Sequence, residues 1–411
     1  MKIQFSISVI FCGLFIAVDC AFSQTWIQQT NAPNSNWYGV ASSADGNKLV
    51  AVRASGSIYT STNSGVTWTP SVVPTGKQWQ GIASSADGVK LVAADANGNG
   101  IYTSTNSGMS WISNNVPSEF WWSVASSADG TKLVAVTGIG GGPIYISTNS
   151  GNTWSQTSAP TTNYWSSVTS SADGTKLAAA QLRNATLSFG GFIYTSTNSG
   201  TTWQTNDVPF QAWESIASSA DGTKLIAGGR PVAFNRVFGI YTSTNSGATW
   251  ISNSVSQYIF NVSSVAISAD GSKMVAVNDV ANGILPPTIS SIYTTTNSGI
   301  TWQTNNAPVT NWQAVASSAD GSKLVATTAS SGIWTSQTAL SPRLNTTSAN
   351  TNLTLSWIVP SVSFVLQQNS DLSTGNWVIL TNPPVLNPAN LQNEVLISPS
   401  SSNSFFRLIA R

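Results

Sequence analysis

The chain has 411 residues, room for one large domain and a small one, and only 8% of them are charged, for a net charge of +1. Without a basic stripe it lacks the electrostatic footprint of a nucleic-acid binder. Histidine is absent and Cys12 and Cys20 are the only cysteines. Ser-His-Asp and Cys-His nucleophiles, haem ligation and the usual zinc and copper sites are thereby excluded, and neither metal nor cofactor is expected.

The chain opens "MKIQFSISVIFCGLFIAVDCAFSQ". Lys2 gives a positive end, residues 7–18 an apolar stretch, and "AFS" a small-residue cleavage pattern before Gln24. Residues 1–23 are read as a secretory signal cleaved after Ser23, which predicts a secreted or extracytoplasmic protein. The apolar stretch is too short to span a bilayer, so no membrane span is expected after its removal. Both cysteines leave with the signal.

From residue 24 two motifs alternate. The first is "SSADGNKLVAV" and its relatives, with aspartates at Asp45, Asp87, Asp129, Asp173, Asp221, Asp270 and Asp320. The second is "IYTSTNSGVTW", found six times with its asparagine at Asn63, Asn106, Asn149, Asn198, Asn245 and Asn297. The aspartates are 42, 42, 44, 48, 49 and 50 residues apart, a period that denotes a solenoid, an array or a propeller. No long 3.6-residue apolar pattern occurs, which excludes helical repeats. Each unit divides into "WYGVASS", a tight "ADG" turn, an apolar "KLVAV", a variable loop, "IYTST", an "NSG" turn and a short "VTW". Four antiparallel strands per unit make a propeller blade. The small residues of "VASS" suit the innermost strand, and the tryptophan ending the second motif suits the gap between blades.

The run S-T-N-S-G-x-T-W resembles the Asp-box, the S-x-D-x-G-x-T-W hairpin of sialidases, sortilin-type receptors and photosystem II assembly-factor-like propellers. The resemblance covers residues 24 to about 340. It departs from the pattern at one position, where asparagine replaces the box aspartate. An asparagine carbonyl accepts the same backbone N–H bonds, so the turn survives without its charge. The seven repeated units make a seven-bladed, all-β propeller, and the resemblance implies that its hairpins lie away from any active site. Seven "ADG" turns accompany only six boxes, because the last unit ends in "GIWTSQTALS". The sequence after Gln24, "TWIQQTNAP", reads as the missing half. Thr25 and Trp26 are therefore expected to pair with the strand around Ile333 and Trp334 and close the ring.

Residues 341–411 abandon the repeat and read as a small β-sandwich module, in which Trp357 and Trp377 are either core residues or sugar contacts.

Each "ADG" aspartate is followed by a lysine, and these pairs are read as architecture or solvated rim. The charges left over in the propeller are Arg53, Lys77, Asp95, Glu119, Arg183, Asp207, Glu214, Arg230, Arg236 and Asp279. They fall mostly on the face opposite the repeated turns, where the fourth to sixth units carry expanded loops; long loops on a rigid scaffold are where function concentrates. Trp37, Trp79, Trp121, Trp165, Trp213 and Trp312 each stand three residues before the Val or Ile of "VASS" or its equivalent, and Val262 takes this place in the sixth unit. They are either a ring at the channel mouth or a repeated packing position.

The expected function is a monomeric, secreted, non-catalytic binding propeller for a glycan or an extracellular protein. Its ligand-binding candidates are Trp165, Arg183, Trp213, Glu214, Arg230, Phe234, Arg236, Phe238 and Asp279. One alternative is a sialidase-like glycoside hydrolase, with loop arginines clamping a carboxylate and Glu214 or Asp279 as acidic partner. The early arginine motif of sialidases is missing, with only "VRAS" in its place. A further alternative is a scaffold resembling the assembly-factor propellers.

Overall fold

The computed structural model describes residues 25–98, 100–184, 190–230, 239–253, 261–279, 291–337, 344–349, 352–358, 364–371, 374, 376–387, 391–397 and 404–410. All regular structure among them is β-strand, and no helix of the described residues is long and apolar enough to cross a membrane.

Blade 1 comprises Trp37–Ser42, Leu49–Arg53, Ile58–Ser61 and Thr69–Pro70, hydrogen-bonded in that order. Blades 2 to 6 repeat it, with inner strands at Trp79–Ser84, Trp121–Ser126, Asn163–Ser170, Ala212–Ser218 and Val262–Ile267. Blade 7 has three strands from the end of the repeat, Trp312–Ser317, Lys323–Thr328 and Ile333–Gln337. Its outer strand is Trp26–Gln28, antiparallel with Trp26 opposite Ser336 and Gln28 opposite Trp334. The N-terminal strand thus closes the ring, as the unequal count of turns and boxes predicts.

Three repeated devices hold the ring on its hairpin face. In each "ADG" turn the carboxylate organises the backbone: Asp45 Oδ1 accepts the Ser43 hydroxyl at 2.6 Å and the Asn47 N–H at 3.0 Å, while Gly46 takes φ 67°. The serine bond recurs at Asp87, Asp129, Asp173, Asp221, Asp270 and Asp320. At Asp129, Asp173, Asp221 and Asp270 desolvation works against the charge. Hydrogen bonds from the neighbouring Ser and Ser or Thr groups, with a lysine of the preceding blade, outweigh it and hold these carboxyls below their ordinary value.

The alanine of each turn forms the second device. Ala44 N–H donates to the Ala86 carbonyl, Ala86 to Ala128, Ala128 to Ala172, Ala172 to Ala220, Ala220 to Ala269, Ala269 to Ala319, and Ala319 back to Ala44, all at 2.7–2.9 Å. These bonds close into a circle around the channel.

The lysines form the third, and they are clasps between blades. The stem of Lys323 in blade 7 lies against Gly46 of blade 1, so close that a methyl there would stand 2.9 Å from it. The Lys323 ammonium donates to Asn47 Oδ1 at 2.7 Å and to Ser64 Oγ at 2.9 Å. Lys273 similarly reaches the Asp320 carbonyl at 2.8 Å. Burial pulls both lysines below their ordinary value.

The second hairpin behaves as its composition predicts. Asn63 Oδ1 accepts the Thr67 N–H at 2.9 Å and the Ser61 hydroxyl at 3.0 Å, and Ser64 sits in the left-handed region at φ 58°. The asparagine-to-backbone bond recurs at Asn106, Asn149, Asn198, Asn245 and Asn297.

Past the ring, two sheets face a small core of Leu355, Trp357, Leu366 and Val395. One runs Asn345–Ala349, Asn352–Ile358, Gln392–Ile397, Val385–Asn387, and the other Val378–Ile379, Phe364–Asn369, Phe405–Ala410. Trp357 is core, and Trp377 carries the Arg407 guanidinium 4.2 Å above its ring.

Candidate functional site

The inner strands fix the site through an odd number. Trp37 and Val40 are both buried although they are three residues apart, and a regular strand would turn them to opposite faces. A β-bulge resolves this. The register slips between Trp37 and Gly39, and does so at the equivalent place in the other six blades. A bulge leaves one extra residue and re-aims its side chain. Here the extra residues are Tyr38, Gln80, Trp122, Ser166, Glu214, Ser263 and Gln313, and all of them line one cavity of about 540 Å³ at the loop-side mouth of the channel.

The preceding tryptophans face away from it. Trp165 and Trp213 are 1% and 0% exposed, and Trp37, Trp79, Trp121 and Trp312 are equally buried. Each of the first five blades packs its tryptophan edge-on against the tyrosine of "IYTST", as in Trp213–Tyr241 at 5.3 Å. The tryptophans hold the repeated packing position and do not ring the mouth: Trp165 and Trp213 are wedges between neighbouring blades, against Val134, Val136 and Ile144 and against Ala178, Ala180 and Ile193 of the preceding blade, and the residues that follow them face the channel. Sequence reading located the right stretch and assigned the wrong side chain. The odd Trp-to-Val spacing was the signal that could have found it.

Below the bulged residues the wall is made of small groups at one further position: Gly39, Gly81, Ser123, Ser167, Ser215, Ser264 and Ala314. Neighbouring inner strands approach so closely that a methyl on Gly81 would stand 2.9 Å from Ser123 Cα. The serines use the proximity. Ser167 Oγ accepts the Ile216 N–H of the next blade at 3.2 Å, and Ser215 the Val265 N–H at 3.1 Å.

The charged part of the bowl comes from blades 5 and 6. Arg230, at the end of the second strand of blade 5, donates from Nε to Glu214 Oε1 at 2.9 Å. Asp279, just past the second strand of blade 6, lines the same cavity. Burial pushes the Glu214 carboxyl above its ordinary value; Arg230 opposes that shift and Asp279 adds to it. Glu214, Arg230 and Asp279 thus line one bowl, from an inner-strand bulge, a strand end and the residue just past a strand.

Arg183 lies at the same end of its blade but outside the bowl, with its guanidinium 4.4 Å above the Tyr164 ring. Phe234, Arg236 and Phe238 lie outside the described residues. Arg53 donates to Ser35 Oγ at 2.6 Å. Asp95, wholly buried, accepts the Gln78 and Asn97 N–H groups and pairs with Lys77 at 3.5 Å, a structural ion pair. Among the described residues Arg230 is the one guanidinium that lines the bowl.

Exposed aromatics belong to the same face. Among the described residues of the ring these are Tyr38, Phe120 and Phe210, 38%, 48% and 40% exposed, each at or just before the start of an inner strand.

No family model and no curated protein matches the sequence. Solved structures do. The chain is similar to "YCF48 bound to D1 peptide", with TM-score 0.56 and 14% identity over 77% of this chain and 97% of that one. It is similar to YCF48 from Cyanidioschyzon merolae, with TM-score 0.57 and 15% identity over 76% and 98%. A third similar structure is the Cps50 (Swd1) beta-propeller domain of Myceliophteria thermophila, with TM-score 0.57 and 12% identity over 77% and 100%. The fold is a β-propeller. At these identities the likeness concerns the fold alone, and the propeller's chemistry rests on its own residues.

Proposed function

We propose that this propeller is an exported, non-catalytic binding protein that takes an extended segment of an extracellular protein on its loop face, with Asp-box-type hairpins as its frame. One observation carries the reading: seven geometrically equivalent bulges present a mostly varied set of side chains, Tyr38, Gln80, Trp122, Ser166, Glu214, Ser263 and Gln313, to one bowl. A purely structural position would repeat, as the alanines and asparagines of the other face do.

The cavity is of ligand-pocket size, and the exposed Tyr38, Phe120 and Phe210 extend its footprint across the rim, as suits a polypeptide. The similarity to a propeller bound to a peptide supports the same class of ligand. A sialidase-type clamp needs converging guanidinium groups, and among the described residues Arg183 and Arg53 are held elsewhere.

The test is a peptide display library panned against the immobilised protein. Hits are titrated calorimetrically against the wild-type chain and the Trp122→Ala and Arg230→Ala variants. Binding that weakens by about tenfold or more in either variant is expected, as for residues at the centre of an interface. Three results would each overturn the proposal: peptides that bind both variants as tightly as wild type, capture of glycans with no peptide binding, or turnover of an aryl glycoside that Glu214→Gln abolishes.

A further inference from the structure

The opposite mouth of the channel lacks the charged groups of the bowl. It holds a chamber of about 150 Å³ lined by the seven turn alanines and the serines beside them. Each alanine has its N–H and C=O engaged in the circle of ring bonds. The serines are engaged as well: Ser42 Oγ donates to the Ser43 carbonyl, and Ser43 Oγ to Asp45. With these donors satisfied, the alanine methyls form a collar among serines that have few free donors to offer a polar ligand.

Among the described residues, one from outside the ring lines this chamber and packs against the collar: Leu391, at the start of the stretch that leads into Gln392–Ile397 of the C-terminal sandwich. Its backbone is unusual. Among the described residues seven non-glycines have positive φ; six are the second-hairpin serines, and the seventh is Leu391 at φ 53°. The serines are explained by their turn. A leucine in the left-handed region is disfavoured by its own Cβ and persists where surrounding contacts hold it.

We infer that Leu391 is a plug that docks the C-terminal module onto the hairpin-side mouth, leaving the channel a well open at the loop face alone. The module is then part of the binding architecture, because it prevents a ligand from threading the ring. The contact is apolar and unbranched at Cβ, which matches a narrow methyl collar.

The test uses the full chain with Cys12 and Cys20 replaced by serine, carrying either Leu391→Cys or Leu396→Cys. Leu396, in the same module, is 58% exposed and serves as the reference. Maleimide labelling at position 391 is expected to be slower by about tenfold or more, as for a docked state open less than ~10% of the time. A second arm compares short bis-maleimide crosslinking of the Leu391→Cys/Ala220→Cys and Leu396→Cys/Ala220→Cys pairs, mapped by mass spectrometry. Intramolecular crosslinking through position 391 and not through 396 is expected. Equal labelling rates, or equal crosslinking yields, would overturn the plug.

Discussion

The two faces of the ring are built on opposite rules. On the hairpin face one set of contacts is copied around the circle: serine hydroxyl to carboxylate, alanine N–H to alanine carbonyl, and a lysine stem packed on the glycine of the next blade. On the loop face one backbone device, the bulge, is copied, while the side chain it aims changes from blade to blade. Repetition of bonds yields stability; repetition of a bulge with varied residues yields a surface. The difference lets a residue's role be judged by whether its counterparts in the other blades are the same.

Mutations break that comparison in graded steps. Trp213→Ala should have the largest effect, because Trp213 is fully buried and replacing such a side chain costs about 3–5 kcal/mol. Its urea midpoint should fall sharply; an unchanged midpoint with lost binding would return this residue to the ligand site. Next comes Asp320→Ala. Asp320 is 7% exposed and accepts hydrogen bonds from the Ser318 hydroxyl and the Ser322 N–H, and hydrogen bonds to a charged group are worth about 1.5–3 kcal/mol. The solvent-exposed Asp87→Ala should cost clearly less in the same assay.

Acid should act on the hairpin face as a whole. The carboxyls of Asp129, Asp173, Asp221 and Asp270 lie below their ordinary value in the folded state. Their contribution is therefore complete above the unfolded value, about 3.9, and is lost as pH falls through the lower folded values. Stability measured by urea titration should drop below about pH 4, and Asp→Asn at these four positions should flatten the profile. Arg230→Ala should have the smallest effect on folding. Its pair with Glu214 is partly exposed, with side chains 40% and 23% accessible, and such pairs contribute about 0–1 kcal/mol. Binding should suffer far more than the unfolding midpoint. The opposite result would make the pair a structural clasp.

Much of this was legible in the sequence. The blade period, the closing strand at Trp26 and the asparagine turns all rest on repetition, and repetition survives without coordinates. The bowl was harder to read because its residues are the ones that do not repeat. Tyr38, Gln80 and Trp122 share no letter, so no motif marks them, and the conspicuous tryptophans beside them drew the assignment one residue too early. Glu214, Arg230 and Asp279 were singled out as charges left over from the architecture, but their convergence depends on how blades 5 and 6 sit around the channel. The lysines looked like solvated rim because their clasp lies in the next blade, some forty-odd residues away in sequence.

Closing the ring through Trp26 also sets an order in time. Trp26 is made about three hundred residues before its partner Ser336, tens of seconds at roughly 5–20 residues per second. Until then the first strand waits without a mate and the strand Ile333–Gln337 does not exist to receive it. Six blades can assemble as they emerge, but the circle is completed only near the end of the repeat. A nascent chain therefore carries an open edge for as long as the blades are being made, and that interval is when it is most vulnerable to association with its neighbours.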